Sequence, residues 1–509
     1  MQLRNAQTHA PSSRADLPVV VIGGGPAGLT AALELTARGR AVTVLEAGED
    51  VGGLARTVER DGYRFDLGGH RFFTKQPEIE LVWHELLGPD LLLRPRRSRI
   101  RWRGRFIDYP LRISDLVRNV GPVELGRIAG SYARSRLRPA REAVNFEQWV
   151  IDRFGRRLFD NFFRSYTEKV WGVPTDRISA DWAAQRIREL SVGEAVRAAL
   201  GRSDHGHHSL IDEFLYPRLG PGQLWEAMRA RIEARGGEVR TSAPVSGLVA
   251  PQAGKAARVQ LADGSELEAA AVISSAPLGA LAWMLPAAEV PASVRTAAGE
   301  LRHRDFLTVA LILDAPSPFP DNWIYVHDPE VAVGRVQNFA AWSEAMVPDE
   351  GRSCLGLEYF CFAGDELWSQ PDTELVARAR REIESIGLAS AADVLAGHVV
   401  RVPAAYPIYG EGYAARIQRI RGWLETMPWL QQIGRNGLHR YNNVDHSMLT
   451  AMRAVENLCD GAAHDLWAVN ADSAYHEEDR RPRAEQPYLE PPPRPVAADA
   501  RAPALQEIS

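Results

Sequence analysis

The chain has 509 residues, of which 45% are hydrophobic and 25% are charged, as expected for a globular protein with two or three domains. Its formal net charge of −5 excludes a general nucleic-acid binder, which would need a basic surface. The three cysteines have no metal-like spacing, so the sequence predicts no metal centre and fits a reducing compartment without disulfides.

Both ends of the chain lack hydrophobic periodicity. Residues 1–16 predict a disordered leader, and the proline-rich residues 479–509 predict a disordered tail. The leader lacks the apolar segment of a signal peptide, and no later segment approaches the length of a membrane span. The sequence therefore predicts a cytoplasmic protein that does not cross a membrane. It carries no signal for an oligomeric state.

The first ordered segment predicts a βαβ unit. "LPVVVIGGG" is an apolar strand, "PAGLTAALELTARG" has a helical pattern, and "AVTVLEA" is a second strand. Gly23, Gly25 and Gly28 form GxGxxG between strand and helix, where glycines let the backbone approach a pyrophosphate at the helix N-terminus. Glu46 ends the second strand 18 residues after Gly28, close to the spacing of a ribose-binding carboxylate. This unit predicts a doubly wound domain that binds NAD or FAD.

A second glycine turn follows in "EAGEDVGGLARTV". Gly53 lies in this turn, and Arg56 places a cation close to the first phosphate site. The motif resembles that of the flavoprotein group that contains amine oxidases, phytoene desaturases, protoporphyrinogen oxidase and UDP-galactopyranose mutase. The resemblance implies that the cofactor is FAD.

The remaining patterns predict an α/β fold whose discontinuous FAD-binding domain is interrupted by two other units. Residues 101–212 are mainly helical and would form an insertion with a mobile loop near 172–186, and residues 291–430 would form a mixed-sheet substrate domain. The "SRIRWRGRFIDYP" segment predicts a hairpin around Arg103 and Gly104. The FAD-binding domain would consist of residues 17–100, 213–290 and 431–478.

Three segments narrow the resemblance to UDP-galactopyranose mutases, and to the larger eukaryotic type in particular. They are "FDLGGHRFF", "YTEKVWGVPTDRISADWAAQRI" and "HRYNNVDHSMLTAMRAVENL". The resemblance implies a nucleotide-diphosphate sugar as substrate and a pyranose–furanose ring contraction, in which N5 of reduced FAD attacks the anomeric carbon. NAD(P)H is a candidate external reductant.

The resemblance also implies roles for individual residues. It assigns the catalytic positions to His70, Arg186, Arg335 and Tyr441. Cofactor contacts are expected from Gly23, Gly25, Gly28, Glu46, Gly53, Arg56, Gly69, His70, Val245, Asp445, His446 and Ser447. Substrate contacts are expected from Tyr109, Tyr166, Trp171, Trp323 and Tyr325.

Three positions depart from the mutase pattern. Thr167 replaces an asparagine, Arg112 replaces a glutamine that touches the base, and Trp342 replaces a tyrosine that touches the diphosphate. An FAD-dependent oxidoreductase of the amine oxidase, protoporphyrinogen oxidase or desaturase type, acting on a small metabolite, is the alternative. It would need an apolar tunnel and a hydride acceptor instead of the pair of Arg186 and Arg335, which the resemblance places at the diphosphate.

Overall fold

The computed structural model describes residues 17–109, 113–137, 142–180, 182, 213–252 and 255–470. The predicted leader (1–16) and tail (479–509) lie outside these residues. So do Arg112, Arg186 and most of the segment that follows Ala180.

A five-stranded parallel sheet carries the glycine turns. Its strands are Val19–Ile22 (β1), Val42–Leu45 (β2), Glu238–Arg240 (β9), Ala271–Ser274 (β13) and Leu430–Gln432 (β19). They stand in the order β19-β13-β1-β2-β9, and every neighbouring pair is parallel. Along β1, Val19 and Val21 enter one hydrophobic cluster while Val20 and Ile22 enter another. The uninterrupted apolar run is therefore explained by burial on both faces of the sheet.

Helices cover one face of this sheet, and a layer of helices with a small antiparallel sheet covers the other. The first face packs against Pro26–Ala37 (α1), Pro77–Leu87 (α2), Gly222–Ala234 (α7) and Val444–Cys459 (α12). The second packs against Leu278–Met284 (α8), Ala292–Gly299 (α9), Tyr413–Leu424 (α11) and an antiparallel sheet of Val245–Val249 (β10), Ala257–Leu261 (β11) and Glu266–Ala269 (β12). The predicted α/β fold with a doubly wound domain is confirmed.

A seven-stranded mixed sheet forms the second large unit. Its strands are Ser98–Trp102 (β6), Arg105–Asp108 (β7), His303–Leu313 (β14), Trp323–Val326 (β15), Arg335–Asn338 (β16), Ser353–Cys361 (β17) and Val394–Pro407 (β18). Their order is β18-β14-β17-β16-β15-β6-β7. Only the β15–β6 pair is parallel among these described strands. The helix Asp372–Ser385 (α10) packs on this sheet.

The insertion consists of helices that follow β7 along the chain. They are Ile113–Val120 (α3), Pro122–Arg136 (α4), Phe146–Phe154 (α5) and Arg164–Trp171 (α6), with a π-helical turn at Phe159–Phe163 before α6. Further short helices span Arg156–Leu158, Phe339–Trp342, Glu366–Ser369 and Gly434–Gly437. Two small antiparallel sheets pair Thr57–Arg60 (β3) with Tyr63–Asp66 (β4), and Leu91–Pro95 (β5) with Glu213–Pro217 (β8).

Unit boundaries differ from the expected ones at two places. The boundary expected between residues 100 and 101 falls inside β6, which pairs with β15 and so belongs to the mixed sheet. The predicted hairpin between β6 and β7 is confirmed. Helices α9 and α11, expected in the substrate domain, pack on the parallel sheet, because their apolar residues complete the cluster around Val20 and Ile22.

No helix in the described part of the chain combines the length and the apolar character that a membrane crossing requires.

Candidate functional site

A cavity of about 840 Å³ runs between the parallel sheet and the mixed sheet. One end begins beyond the carboxyl ends of β1 and β2, at Ile22 and Leu45. The other end reaches Tyr325 and Arg335 on the mixed sheet. From β1 the chain continues to β2, which pairs on one side of β1, whereas β13 pairs on the other side. The strand order therefore reverses at β1, and the cavity opens at this topological switch point, where α/β sheets bind their ligands.

The first glycine turn forms the wall at the end of β1. Gly23 has φ +98°, and a Cβ there would lie 2.2 Å from Ser275 Oγ. A Cβ on Gly28 would lie 1.8 Å from the carbonyl oxygen of Gly23, so this glycine permits the close contact of α1 with the turn. Gly23 and Gly25 line the cavity. Gly28 does not line it but packs against the turn that does. Glu46 also lines the cavity, and its carboxylate accepts from Gly24 N at 2.6 Å and Gly48 N at 2.8 Å.

The second glycine turn packs directly on the first. Gly52 N donates to Gly24 O at 2.8 Å, and a Cβ on Gly53 would lie 3.2 Å from Gly25 Cα. Arg56 donates to Gly53 O at 3.1 Å, and burial lowers the pKa of its guanidinium. Arg56 is not among the lining residues, so in this structure it braces the turn from behind the cavity.

His70 lines the middle of the cavity together with Gly68 and Gly69. Its Nδ1 atom is buried and has no hydrogen-bond partner among the described residues. Burial, followed by the charges of Arg435 and Arg335, lowers the pKa of His70 to about 3. The imidazole is therefore neutral at physiological pH, with Nδ1 buried and unpaired among the described residues.

Asp66 anchors the loop that carries His70. Its buried carboxylate accepts from Tyr216 Oη at 2.5 Å and from Thr57 Oγ1 at 2.7 Å. Burial raises the pKa of Asp66 to about 7. These contacts fix the end of β4 relative to β3 and β8, and thereby set the start of the loop.

Arg335 lines the cavity with its guanidinium oriented by a buried carboxylate. Glu358 is fully buried on the neighbouring strand β17 and accepts from Arg335 Nε at 3.0 Å and Nη2 at 2.5 Å. The other oxygen of Glu358 accepts from Gln337 Nε2 at 2.7 Å. Glu358 thus holds the Arg335 guanidinium in one orientation. The two hydrogen bonds use Nε and Nη2 and do not involve Nη1.

Arg435 is a cavity cation that the sequence analysis missed. It lies in the short helix Gly434–Gly437, and its guanidinium carbon is 4.1 Å from the ring centroid of Tyr441 and 4.9 Å from that of Tyr406. Both tyrosines line the cavity, and their rings stack with centroids 5.7 Å apart. Nε and Nη2 of Arg435 are buried without hydrogen-bond partners among the described residues. The sequence signal that could have identified Arg435 is "GRNG", an arginine between glycines shortly before the segment "HRYNNVDHSMLTAMRAVENL".

The aromatic residues expected at the substrate separate into two layers. Tyr109 and Tyr325 line the cavity, whereas Tyr166, Trp171 and Trp323 do not. Tyr166 packs edge-on against Tyr325 at 5.6 Å, and Trp323 does so at 6.3 Å. Trp171, only 4% exposed, packs against the lining tyrosines Tyr406 and Tyr441. These three residues support the lining aromatic rings.

Trp342, one of the departures from the mutase pattern, is a core residue. Its indole is 1% exposed, donates to Asn322 O at 2.9 Å and stacks on Trp323. It also packs beneath Gly69, where a Cβ would lie 3.6 Å from Trp342 Cζ2. The larger ring therefore fills space below the glycine loop.

The N-terminus of α12 closes the cavity. Asp445 and Ser447 line it, and so does Val245 at the start of β10. His446 instead completes a capping box, in which Asn443 N donates to His446 Nδ1 at 3.3 Å. The structure thus places His446 in the helix cap, next to the lining positions.

Arg186 lies outside the described residues, so the structure does not place it relative to Arg335. Within the described ranges, no three histidine, cysteine or acidic side chains gather as a metal site would require.

The sequence pattern of the family described as flavin containing amine oxidoreductase matches residues 26–440. Phytoene desaturase (neurosporene-forming) of Rhodobacter capsulatus is 26% identical over 287 residues, which cover 51% of this chain and 52% of that protein. Chloroplastic protoporphyrinogen oxidase of Nicotiana tabacum is 28% identical over 182 residues, which cover 35% of this chain and 33% of that protein. The alignments thus span about a third to a half of these relatives.

Among solved structures, reduced UDP-galactopyranose mutase superposes with a TM-score of 0.77 at 23% identity. The superposition covers 90% of this chain and 98% of that one. At this identity the likeness is one of fold.

Proposed function

Because this chain belongs to the family of flavin-containing amine oxidoreductases, we propose that its cavity holds FAD and converts a nucleotide-diphosphate sugar between its pyranose and furanose forms. The cavity supports the cofactor assignment. Its volume falls within the roughly 300–1,000 Å³ of small-molecule and cofactor sites. The backbone comes close enough at Gly23 and Gly53 that side chains there would collide with neighbouring atoms or crowd them.

The residues present fit the parts of FAD. The turn at Gly23 and Gly25, at the N-terminus of α1, would hold the pyrophosphate, and the Glu46 carboxylate would take the ribose hydroxyls. Val245, Asp445 and Ser447 would contact the remainder, and His70 would lie against the ring system. When bound and reduced, the flavin would supply the nucleophile for the anomeric carbon.

The charge of the cavity beyond His70 is the observation that carries the substrate proposal. Arg96, Arg335 and Arg435 line this part, with Tyr109, Tyr325, Tyr406 and Tyr441. A protonated amine would meet guanidinium groups here, and a polyene would have to desolvate them. A diphosphate gains charge-assisted hydrogen bonds from the same groups, and the tyrosines suit a base and a sugar. Arg335 and Arg435 would bind the phosphates, and Tyr441 would orient the sugar.

The alternative is an FAD-dependent oxidoreductase acting on a small metabolite. It is favoured by the two relatives named above, a protoporphyrinogen oxidase and a phytoene desaturase. The two functions differ in net redox change: the mutase leaves the flavin reduced after turnover, whereas the oxidoreductase needs an electron acceptor.

The test incubates FAD-loaded protein, reduced anaerobically with dithionite, with UDP-galactopyranose and separates the products by anion-exchange chromatography. We expect UDP-galactofuranose with reduced protein and none with oxidised protein. If no nucleotide sugar isomerises, while an amine or polyene reduces the oxidised flavin and air then yields hydrogen peroxide, the oxidoreductase function replaces the mutase.

A pair of matched variants tests the cationic pocket. Arg435→Gln should raise KM for the nucleotide sugar about tenfold or more, because a charged hydrogen bond contributes roughly 1.5–3 kcal/mol. Arg419→Gln, on the exposed face of α11, should leave KM unchanged. Equal KM values in the two variants would remove Arg435 from the substrate site.

A further inference from the structure

Two cavity residues lie at the two ends of one loop. Tyr325 on β15 and Arg335 on β16 are paired across the antiparallel strands. The connecting segment begins after Val326, the residue that follows Tyr325, and ends at Gly334, directly before Arg335. The direction of both side chains therefore depends on how firmly this connection is held.

Lys169, on α6, holds the connection from the helical insertion. Its Nζ donates to Val326 O at 3.1 Å, to Asp328 O at 2.8 Å and to Val333 O at 3.1 Å. An ammonium group has three protons, so all three are used on the backbone of this one loop. Val326 follows Tyr325 directly, and Val333 precedes Arg335 by two positions.

The protonation of Lys169 agrees with this arrangement. Burial lowers its pKa to about 8, against the opposing effect of Glu382, Asp328 and Glu330. The amine is therefore still protonated at neutral pH and can donate all three hydrogen bonds. A buried cation with saturated hydrogen bonds is the form in which burial is tolerated.

The same helix contacts the loop through its neighbouring turn. Ser165 Oγ donates to His327 O at 3.3 Å, and the Tyr166 ring stacks on that of His327 at 4.5 Å. Tyr166 also packs edge-on against Tyr325. Helix α6 thus touches both the loop and a cavity residue that the loop carries.

The opposite side of the loop is held independently. The Glu382 carboxylate accepts from Ala332 N at 3.2 Å and from Val333 N at 2.9 Å, and Arg101 pairs with Asp328 at 2.6 Å. Removal of the Lys169 ammonium should therefore loosen the loop on the side of α6 without detaching it from the sheet.

We propose that Lys169 is a positioning residue, which sets the orientation of Tyr325 and Arg335 by fixing the loop that joins β15 to β16. It does not line the cavity, and it acts through the two residues that do. Its consequence for substrate binding rests on the proposed function, whereas its effect on the loop does not.

The first test is independent of any substrate. Hydrogen exchange is compared by mass spectrometry in FAD-loaded wild type, Lys169→Met and the matched control Lys255→Met, whose lysine is exposed. We expect exchange in residues 323–338 to be roughly tenfold faster in Lys169→Met only, because a charged hydrogen bond is lost. Residues 353–361 of β17 should not change.

Two results would overturn the proposal. One is unchanged exchange in residues 323–338, and the other is a uniform rise that includes β17, which would make Lys169 a residue of general stability. If Lys169→Met does not fold, Lys169→Arg serves in its place. Arg retains a cation but has a different donor geometry, so the same loop should still show a smaller, local increase.

The second test measures the consequence for binding. In Lys169→Met, KM for UDP-galactopyranose should rise about tenfold with a smaller change in kcat and an unaltered flavin spectrum, and Lys169→Arg should recover part of the loss. Wild type that isomerises no nucleotide sugar defeats the proposed function, while the exchange experiment still decides the role of Lys169. Wild-type KM in an active Lys169→Met variant would overturn the proposal.

Discussion

At the scale of single residues, the pair of Arg335 and Glu358 joins stability to the candidate site. Glu358 has no exposed surface, and its partner Arg335 is one of the cations that line the cavity. Removing one member of a buried pair leaves an uncompensated charge, which is more destabilising than removing both. The pair therefore explains why Arg335, which we propose binds the substrate, should also matter to the stability of the fold.

Arg335→Gln should lower the free energy of unfolding by about 3–5 kcal/mol, because Glu358 then lies buried without its counterion. The double variant with Glu358→Gln should regain much of that loss. Urea unfolding of the FAD-loaded proteins measures both values. Arg352→Gln, which breaks two ion pairs with the exposed residues Asp314 and Asp349, is the control and should change stability by about 0–1 kcal/mol. A loss below about 1 kcal/mol for Arg335→Gln would contradict the prediction.

At the scale of elements, the contact between α1 and the first glycine turn decides whether a pyrophosphate can be bound. The hypothetical Cβ of Gly28 overlaps backbone, which cannot move as a flexible side chain would. The helix would have to retreat from β1 and carry its N-terminus away from the cavity. A packing glycine thus controls a binding surface that it does not itself line.

Gly28→Ala should abolish FAD retention through gel filtration or leave it strongly reduced, as measured by the absorbance of the eluted protein. Gly126→Ala is the matched control: it also lies within a helix, α4, and nothing lies within 4 Å of its hypothetical Cβ. That substitution should retain FAD and stabilise the helix by roughly 0.5–1 kcal/mol. Normal FAD content in Gly28→Ala would refute the packing argument.

At the scale of the whole molecule, the cavity connects the two large sheets. Gly23 and Glu46 come from the parallel sheet, and Phe306, Tyr325 and Tyr406 come from the mixed sheet. A ligand that spans the cavity binds the folded chain only, and so stabilises both units together.

Free FAD at a hundred times its Kd should raise the free energy of unfolding by about 2.7 kcal/mol. The first measurement is the thermal transition of the FAD-free protein titrated with FAD. Hydrogen exchange of peptides from each sheet, measured by mass spectrometry, reports on the two units separately. FMN, which lacks the adenosine half, is the control and should shift the transition less. An equal shift with FMN would show that the glycine turn and Glu46 do not bind the pyrophosphate and the adenosine of FAD.

The elements that could be predicted were those encoded within short segments. The strand–glycine turn–helix segment from Val19 to Ala37 is local, since its hydrophobic period and its glycines lie within twenty residues, and so is the β6–β7 hairpin. His70 and Tyr441 were expected from local motifs and Arg335 from the wider resemblance, and the structure brings all three to the wall of one cavity.

What only the tertiary structure decided concerns residues whose neighbours are distant in sequence. The resemblance gave Tyr109 and Tyr166 the same expected role as substrate contacts. Of the two, Tyr109 lines the cavity, whereas Tyr166 packs behind Tyr325. The position of Arg435 among Tyr406 and Tyr441, and that of Lys169 beneath a loop more than 150 residues away, depend on how the sheets and the insertion dock. Sequence alone therefore determined the strand–glycine turn–helix segment, whose hydrophobic period and glycines are local, whereas the layering of the aromatic and basic residues around the cavity was decided by packing between distant segments.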